Sequence, residues 1–196
     1  MASPKILAFA GSTREGSFNK KLAQVAANGA KAAGAEVTYI DLRDFPLPLY
    51  DGDLEAAEGI PANGRKLKEL MRAHQGLIIA SPEYNSEISG VLKNTIDWIS
   101  RPEAGEPLLA CFVNKVAVIM SASPGGLGGL RGLANLRSLL MNIKVLVLPN
   151  QIAVSQAHEA FNDDGTLKDA QQQASVEALA SELVTVVSKL NSTPQE

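Results

Sequence analysis

The sequence predicts a doubly wound α/β protein, a parallel sheet covered by helices on both faces. Three observations predict it. Five short, nearly continuous apolar runs read as buried strands. Segments with a helical repeat separate them, and right-handed crossovers then place helices on both sides. The chain has 196 residues, enough for one domain with a full core, and 1–196 is read as a single domain.

The elements follow in order. Lys5–Ala10 reads as the first strand. Asn19–Ala33 carries Leu22, Val25, Ala26, Gly29 and Ala33 on one helical stripe, and Gly34 closes it. Glu36–Asp41 is the second strand, with Val37 and Tyr39 alternating. The run DFPLPLYDGDLEAAEGIP, rich in proline and acids, reads as an ordered loop. Asn63–Ala73 is a helix with Leu67, Leu70 and Met71 on one side, and Gly76–Ser81 a buried strand. Gly90–Ser100 is helical and Arg101–Asn114 irregular. Lys115–Ser121 is the fourth strand, Gly128–Ile143 a helix, and Lys144–Pro149 the fifth strand. A turn at Asp163-Asp164-Gly165 precedes the last helix, Asp169–Lys189, and the tail NSTPQE is expected to fray.

Composition narrows the function. Hydrophobic residues make up 45% and charged residues 20%, the balance of a globular domain. A net charge of −3 argues against a nucleic-acid or acidic-membrane partner. The single cysteine, Cys111, permits no internal disulfide and no thiolate metal cluster, and reads as a packed small hydrophobe. His74 and His158 stand in no metal-ligand spacing, so no metal is expected. His74 ends a helix, where it offsets the dipole. No apolar run suits a signal peptide or a membrane span, and the cytoplasm is the expected compartment.

Ligands of such sheets bind at the carboxyl ends of the strands. Three loops leave strand ends there: Gly11–Asn19, Pro82–Ser89 and Ser121–Gly129. The first, GSTREGSFN, has the G-x-x-x-x-G spacing of a triphosphate loop, but Ser17 and Phe18 stand where Lys and Ser/Thr are required. Position 13 is Thr, so the dinucleotide fingerprint also fails. What remains is a hydroxyl-rich cradle at a helix N-terminus. Ser12, Thr13 and Ser17 offer O–H groups, Asn19 an amide and Arg14 a guanidinium, which suits a terminal monoester phosphate. The competing reading is that Ser17 or Asn19 simply caps the helix.

In the second loop, Pro82 stiffens the strand exit, and Glu83, Tyr84 and Asn85 follow where a flat heterocycle could rest. Its competitor is a plain turn with Tyr84 as a surface aromatic. Glu83 is expected to be solvated or paired with a partner subunit. Lys93 and Asn94 read as loop anchors, and Trp98 as core. The third loop sets five glycines around Ser121, Ser123 and Arg131, so that the backbone can approach a ligand closely. Its competitor is a flexible connector. A phosphate cradle, a ring platform and a glycine wall at one sheet edge describe a flavin mononucleotide site.

These residues resemble a known family. Gly11-Ser12-x-Arg14-x-x-Ser17-x-Asn19, Pro82-Glu83-Tyr84-Asn85, Gly90-x-Leu92-Lys93-Asn94-x-Ile96-Asp97-Trp98 and Ser123-Pro124-Gly125 are similar to the NAD(P)H-dependent FMN reductases, nearest to bacterial quinone and chromate reductases. Pro48–Glu55 matches that family's loop after the second strand. The resemblance implies a flavodoxin-like fold with strand order 2-1-3-4-5 and bound FMN, NAD(P)H being the co-substrate. It implies phosphate contacts from Ser12, Arg14, Ser17 and Asn19, with Phe18 beside them. It places Pro82, Glu83, Tyr84, Asn85, Ser121, Ser123 and Gly125 around the isoalloxazine, with the chemistry at flavin N5 and no catalytic side chain. It further implies quinones or similar small-molecule acceptors (chromate, azo or nitro compounds) and a homodimer or homotetramer. Ser89 stands where many relatives carry proline, which is expected to loosen that turn. Arg131 is a candidate for a 2′-phosphate, and the choice between NADH and NADPH stays open. The alternative function is an electron carrier without substrate turnover.

Overall fold

A computed structural model describes residues 3–192. Five parallel strands form one sheet: β1 (Lys5–Ala10), β2 (Glu36–Asp41), β3 (Gly76–Ala80), β6 (Val116–Ala122) and β7 (Leu146–Val154). Their order is β2-β1-β3-β6-β7, which is 2-1-3-4-5 when only this sheet is counted. The two remaining strands, β4 (Glu83–Tyr84) and β5 (Glu87–Ile88), pair only with each other.

The inner strands are apolar because both faces are covered. All residues of β3 and β6 are buried, and side chains of opposite parity feed two separate cores. Ile6, Ala8, Ile78 and Val118 pack under α1 (Phe18–Ala32) and α7 (Ala170–Ser192). Leu7, Phe9, Ile79 and Ile119 pack under α3 (Ala62–Ala73), α4 (Gly90–Ile99) and α5 (Leu130–Asn142). Gly34 takes φ +93° just beyond α1, as its placement in the sequence requires.

The structure corrects the sequence reading in four places. The proline-rich loop contains a helix, α2 (Gly52–Glu58), whose N-cap Asp51 accepts from the Asp53 and Leu54 amides. The loop after β3 closes into the β4–β5 hairpin, with Asn85 and Ser86 at φ 53° and 68° in its two-residue turn. A one-turn helix, α6 (Ala157–Ala160), follows β7. The last strand runs on to Val154, because a bulge between the Val147 and Gln151 pairings absorbs Pro149. Arg137 of α5 braces that bulge, donating to the carbonyls of Leu148 (2.7 Å) and Pro149 (3.1 Å) and to Gln151 Oε1 (3.0 Å). Asn191 and Ser192 belong to α7, and the rest of the tail lies outside the described residues.

Candidate functional site

The Gly11–Asn19 loop runs from the carboxyl end of β1 into the N-terminus of α1. Gly11 leaves the sheet donating to Ala80 O at 2.9 Å. Ser17 is the N-cap residue, yet its hydroxyl makes no capping hydrogen bond, and it is only 4% exposed. The amides of Lys20 and Lys21 turn back to Ser17 O, leaving the Phe18 and Asn19 N–H groups without acceptors among the described residues. No acid occupies the first turn. The positive helix end is therefore uncompensated, beside a hydroxyl that does not serve the helix. Side-chain capping therefore does not account for Ser17.

Asn19 behaves differently. Its Nδ2 donates to Ala122 O at 2.8 Å, and its Oδ1 accepts from Ala122 N at 2.9 Å. The amide ties α1 to the end of β6, so Asn19 borders the cradle through its backbone and clamps it through its side chain. Arg14 is folded within the loop, donating to Gly16 O at 2.5 Å and lying 5.1 Å from the Phe18 ring centroid. The Phe18 ring stacks on Phe161 at 6.2 Å. Lys20 is held by Asp41 at 2.5 Å. Arg43, after β2, supports the loop from outside by donating to Thr13 O at 2.7 and 2.9 Å.

Glu83 is neither solvated nor reserved for a partner subunit. Its carboxylate accepts from the Gly132 amide at 2.9 Å and from Arg131 Nε at 3.0 Å, with Arg131 Nη2 at 2.9 Å. Burial pushes the carboxyl pKa up, but the α5 amide and the guanidinium more than offset this and hold it below the usual glutamate value. Asn135 adds bonds to Ser86 O and Glu87 Oε1. The hairpin is thus fastened to the first turns of α5, and Arg131 is committed to it. Asn94 anchors the loop after β2 rather than the loop after β3, donating to Pro48 O and accepting from Tyr50 N, both at 2.8 Å, while Lys93 pairs with Asp97. Ser89 tightens its turn rather than loosening it: its hydroxyl donates to Gly11 O at 2.5 Å and caps α4 at Leu92 N.

These loops enclose a cleft of about 170 Å³. Ser12, Arg14, Ser17, Phe18, Asn19, Pro82, Glu83, Tyr84 and Ser123 line it, joined by Pro124, quoted above only within its motif, and by Ala122, which sequence reasoning did not single out. The signal for both was present, since they flank Ser123 at the end of β6. Three expected residues lie off its wall. Asn85 is at the hairpin tip. Ser121 is fully buried beneath Gly129, whose missing Cβ would lie 1.9 Å from Ser121 Oγ. Gly125 turns away, its carbonyl accepting from the Gly128 and Gln156 amides.

Doubly wound topology, an anion cradle on the first loop and a ring slot on the third and fourth strand exits define a flavodoxin-like mononucleotide-binding protein. The comparisons with known proteins agree. Residues 4–159 match the family NADPH-dependent FMN reductase. An NAD(P)H-dependent FMN reductase of Pseudomonas aeruginosa is 37% identical over 166 residues, 84% of this chain and 85% of the relative. A quinone reductase of Escherichia coli is 36% identical over 148 residues, 74% and 73% of the two chains. The solved flavoenzyme NAD(P)H:(acceptor) oxidoreductase of Paracoccus denitrificans superposes with TM-score 0.79 at 26% identity, over 95% of this chain and 98% of that one. The chain belongs to the NADPH-dependent FMN reductase family, and is an oxidoreductase that works with FMN and a nicotinamide nucleotide.

Proposed function

We propose that the protein carries reducing equivalents from NAD(P)H through bound FMN to quinones or chemically similar acceptors, in a ping-pong cycle. The observation that carries this is the junction of a free, uncapped helix end with an open slot. The anion half is built from the Ser12 and Ser17 hydroxyls and the Phe18 and Asn19 amides, with Arg14 on the same wall, where it would exchange its bond to Gly16 O for one to a phosphate. The ring half is built from Pro82, Tyr84, Ser123 and Pro124. Bound FMN supplies two-electron chemistry, accepting a hydride and releasing electrons to a second substrate.

The protein holds, orients and leaves one side open. Tyr84 is 57% exposed at the mouth, where donor and acceptor share the same approach in turn. Glu83 is the one carboxylate on the wall and is already engaged by Arg131 and Gly132, so it is not assigned the role of proton donor. Protons for the reduced acceptor then come from water through the open mouth. Chromate, azo and nitro compounds belong to the same proposed class of acceptors. A cytoplasmic homodimer or homotetramer is the assembly this reading favours.

Steady-state oxidation of NADH and NADPH, with and without a quinone, tests it. Turnover that requires both substrates, with parallel double-reciprocal lines, is the expected result. A protein that binds FMN but turns over neither nucleotide would be a carrier instead. Replacing Arg14→Ala together with Ser17→Ala should weaken FMN binding by about 1.5–3 kcal/mol for each charge-assisted bond lost. Unchanged FMN affinity would remove the phosphate from this loop.

A further inference from the structure

The peptide that opens the cradle is held from behind. Gly11 O accepts the Ser89 hydroxyl at 2.5 Å, and the same Oγ accepts the Leu92 amide at 3.2 Å. Ser89 is 2% exposed, and its one proton is committed to Gly11, so the hydroxyl has no other orientation to adopt. Gly11 has no room to shift toward α4: a Cβ there would lie 2.9 Å from Leu92 Cβ and 3.2 Å from Ser89 Oγ.

In a trans peptide the C=O and N–H point to opposite sides. Fixing the Gly11 carbonyl on Ser89 therefore aims the Ser12 N–H away from α4. Ser12 and Ser17 both line the cleft. Ser12 is 5% exposed, and among the described residues its N–H has no acceptor. An amide without a protein acceptor beside the cleft is left for water or for a ligand that accepts from it.

We propose that Ser89 is a positioning residue for the cofactor phosphate. Its hydroxyl locks the Gly11–Ser12 peptide so that the Ser12 amide joins the Phe18 and Asn19 amides as a phosphate donor. The inference rests on the FMN reading. It gives this chain a fixed link between the β1 exit and the N-cap of α4, made by one side chain at position 89.

The test measures affinity of the apoprotein for FMN and for riboflavin, which lacks the phosphate, by quenching of flavin fluorescence. Ser89→Ala should weaken FMN binding by about tenfold, the loss of one well-aimed charge-assisted bond. Riboflavin binding should not change, and Ser89→Thr, which keeps the hydroxyl, should restore FMN affinity. The ³¹P resonance of bound FMN should shift in Ser89→Ala and return in Ser89→Thr. The lost α4 cap lowers Tm in Ser89→Ala but acts on both flavins alike. An unchanged FMN affinity with an unshifted ³¹P signal, or equal losses for FMN and riboflavin, would overturn the proposal. Wild-type protein that binds no FMN would instead overturn the cofactor reading beneath it.

Discussion

The strongest prediction concerns Asn19. It is 3% exposed, and its amide satisfies both the N–H and the C=O of Ala122, itself 3% exposed at the end of β6. Asn19→Ala strands both backbone groups. Each unsatisfied buried group costs about 1–3 kcal/mol, and water reaching in from the cleft recovers part of that, so the expected loss is about 2–4 kcal/mol. For a chain of this size it corresponds to a Tm lowered by roughly 5–15 °C. Asn19→Asp keeps the acceptor but loses the donor and sets a carboxylate against Ala122 O; it should be at least as unstable. Its charge beside the cradle should also weaken FMN binding. Thermal unfolding of the apoprotein, followed by circular dichroism at fixed protein concentration, measures the first effect. If Asn19→Ala melts within about 2 °C of wild type, the two bonds do not clamp α1 to the sheet, and the division of Asn19 into clamp and border is wrong.

Three further predictions address separate features. Glu83 has its pKa held below the ordinary value of about 4.5, so its ionised pairing stabilises the fold above that pH and is lost as pH falls through the lower folded value. Glu83→Gln should therefore flatten the acid limb of a Tm-against-pH curve below about pH 4.5, and a limb identical to wild type would dissolve the clamp on α5. Ser121 Oγ is buried with no hydrogen-bond partner, so Ser121→Ala should leave apoprotein Tm unchanged or raised and FMN affinity unaltered; a drop in FMN affinity would return Ser121 to the site. The Lys68 side chain is 1% exposed and donates to Arg101 O at 2.7 Å and to Glu106 at 2.5 Å. Lys68→Met should cost about 3–5 kcal/mol in urea unfolding, because Glu106 loses its buried cation and keeps only the exposed Arg72 and the Glu103 amide. A loss below about 1 kcal/mol would show the pair to be replaceable by apolar packing.

Much of this was legible in the sequence, because the signals are local. The buried strands announce themselves as β-branched and leucine runs, and the cradle as hydroxyls packed before a helix. What escaped depends on distant partners. Nothing near Glu83 in the chain reveals that Arg131 and Gly132 wait for it 48 and 49 residues away. Asn19 meets Ala122 across 103 residues, so its amide looked like one more phosphate ligand. Ser121 has the right spacing for the slot, but strand parity and the close approach of Gly129 bury it. α2 was hidden by the prolines before it, although Asp51 two residues ahead of Asp53 is a legible cap. The fifth strand was cut short at Pro149, since a proline ends a ladder unless a bulge takes it up.

That bulge also shapes the exposed edge of the sheet. β7 is an outer strand, and outer strands invite further strands to join them. Pro149 offers no amide, the surrounding residues are thrown out of register, and Arg137 already occupies the carbonyls that a newcomer would seek. This flank of the sheet is therefore a poor template for a further strand: the ladder that a newcomer would need is interrupted at the bulge.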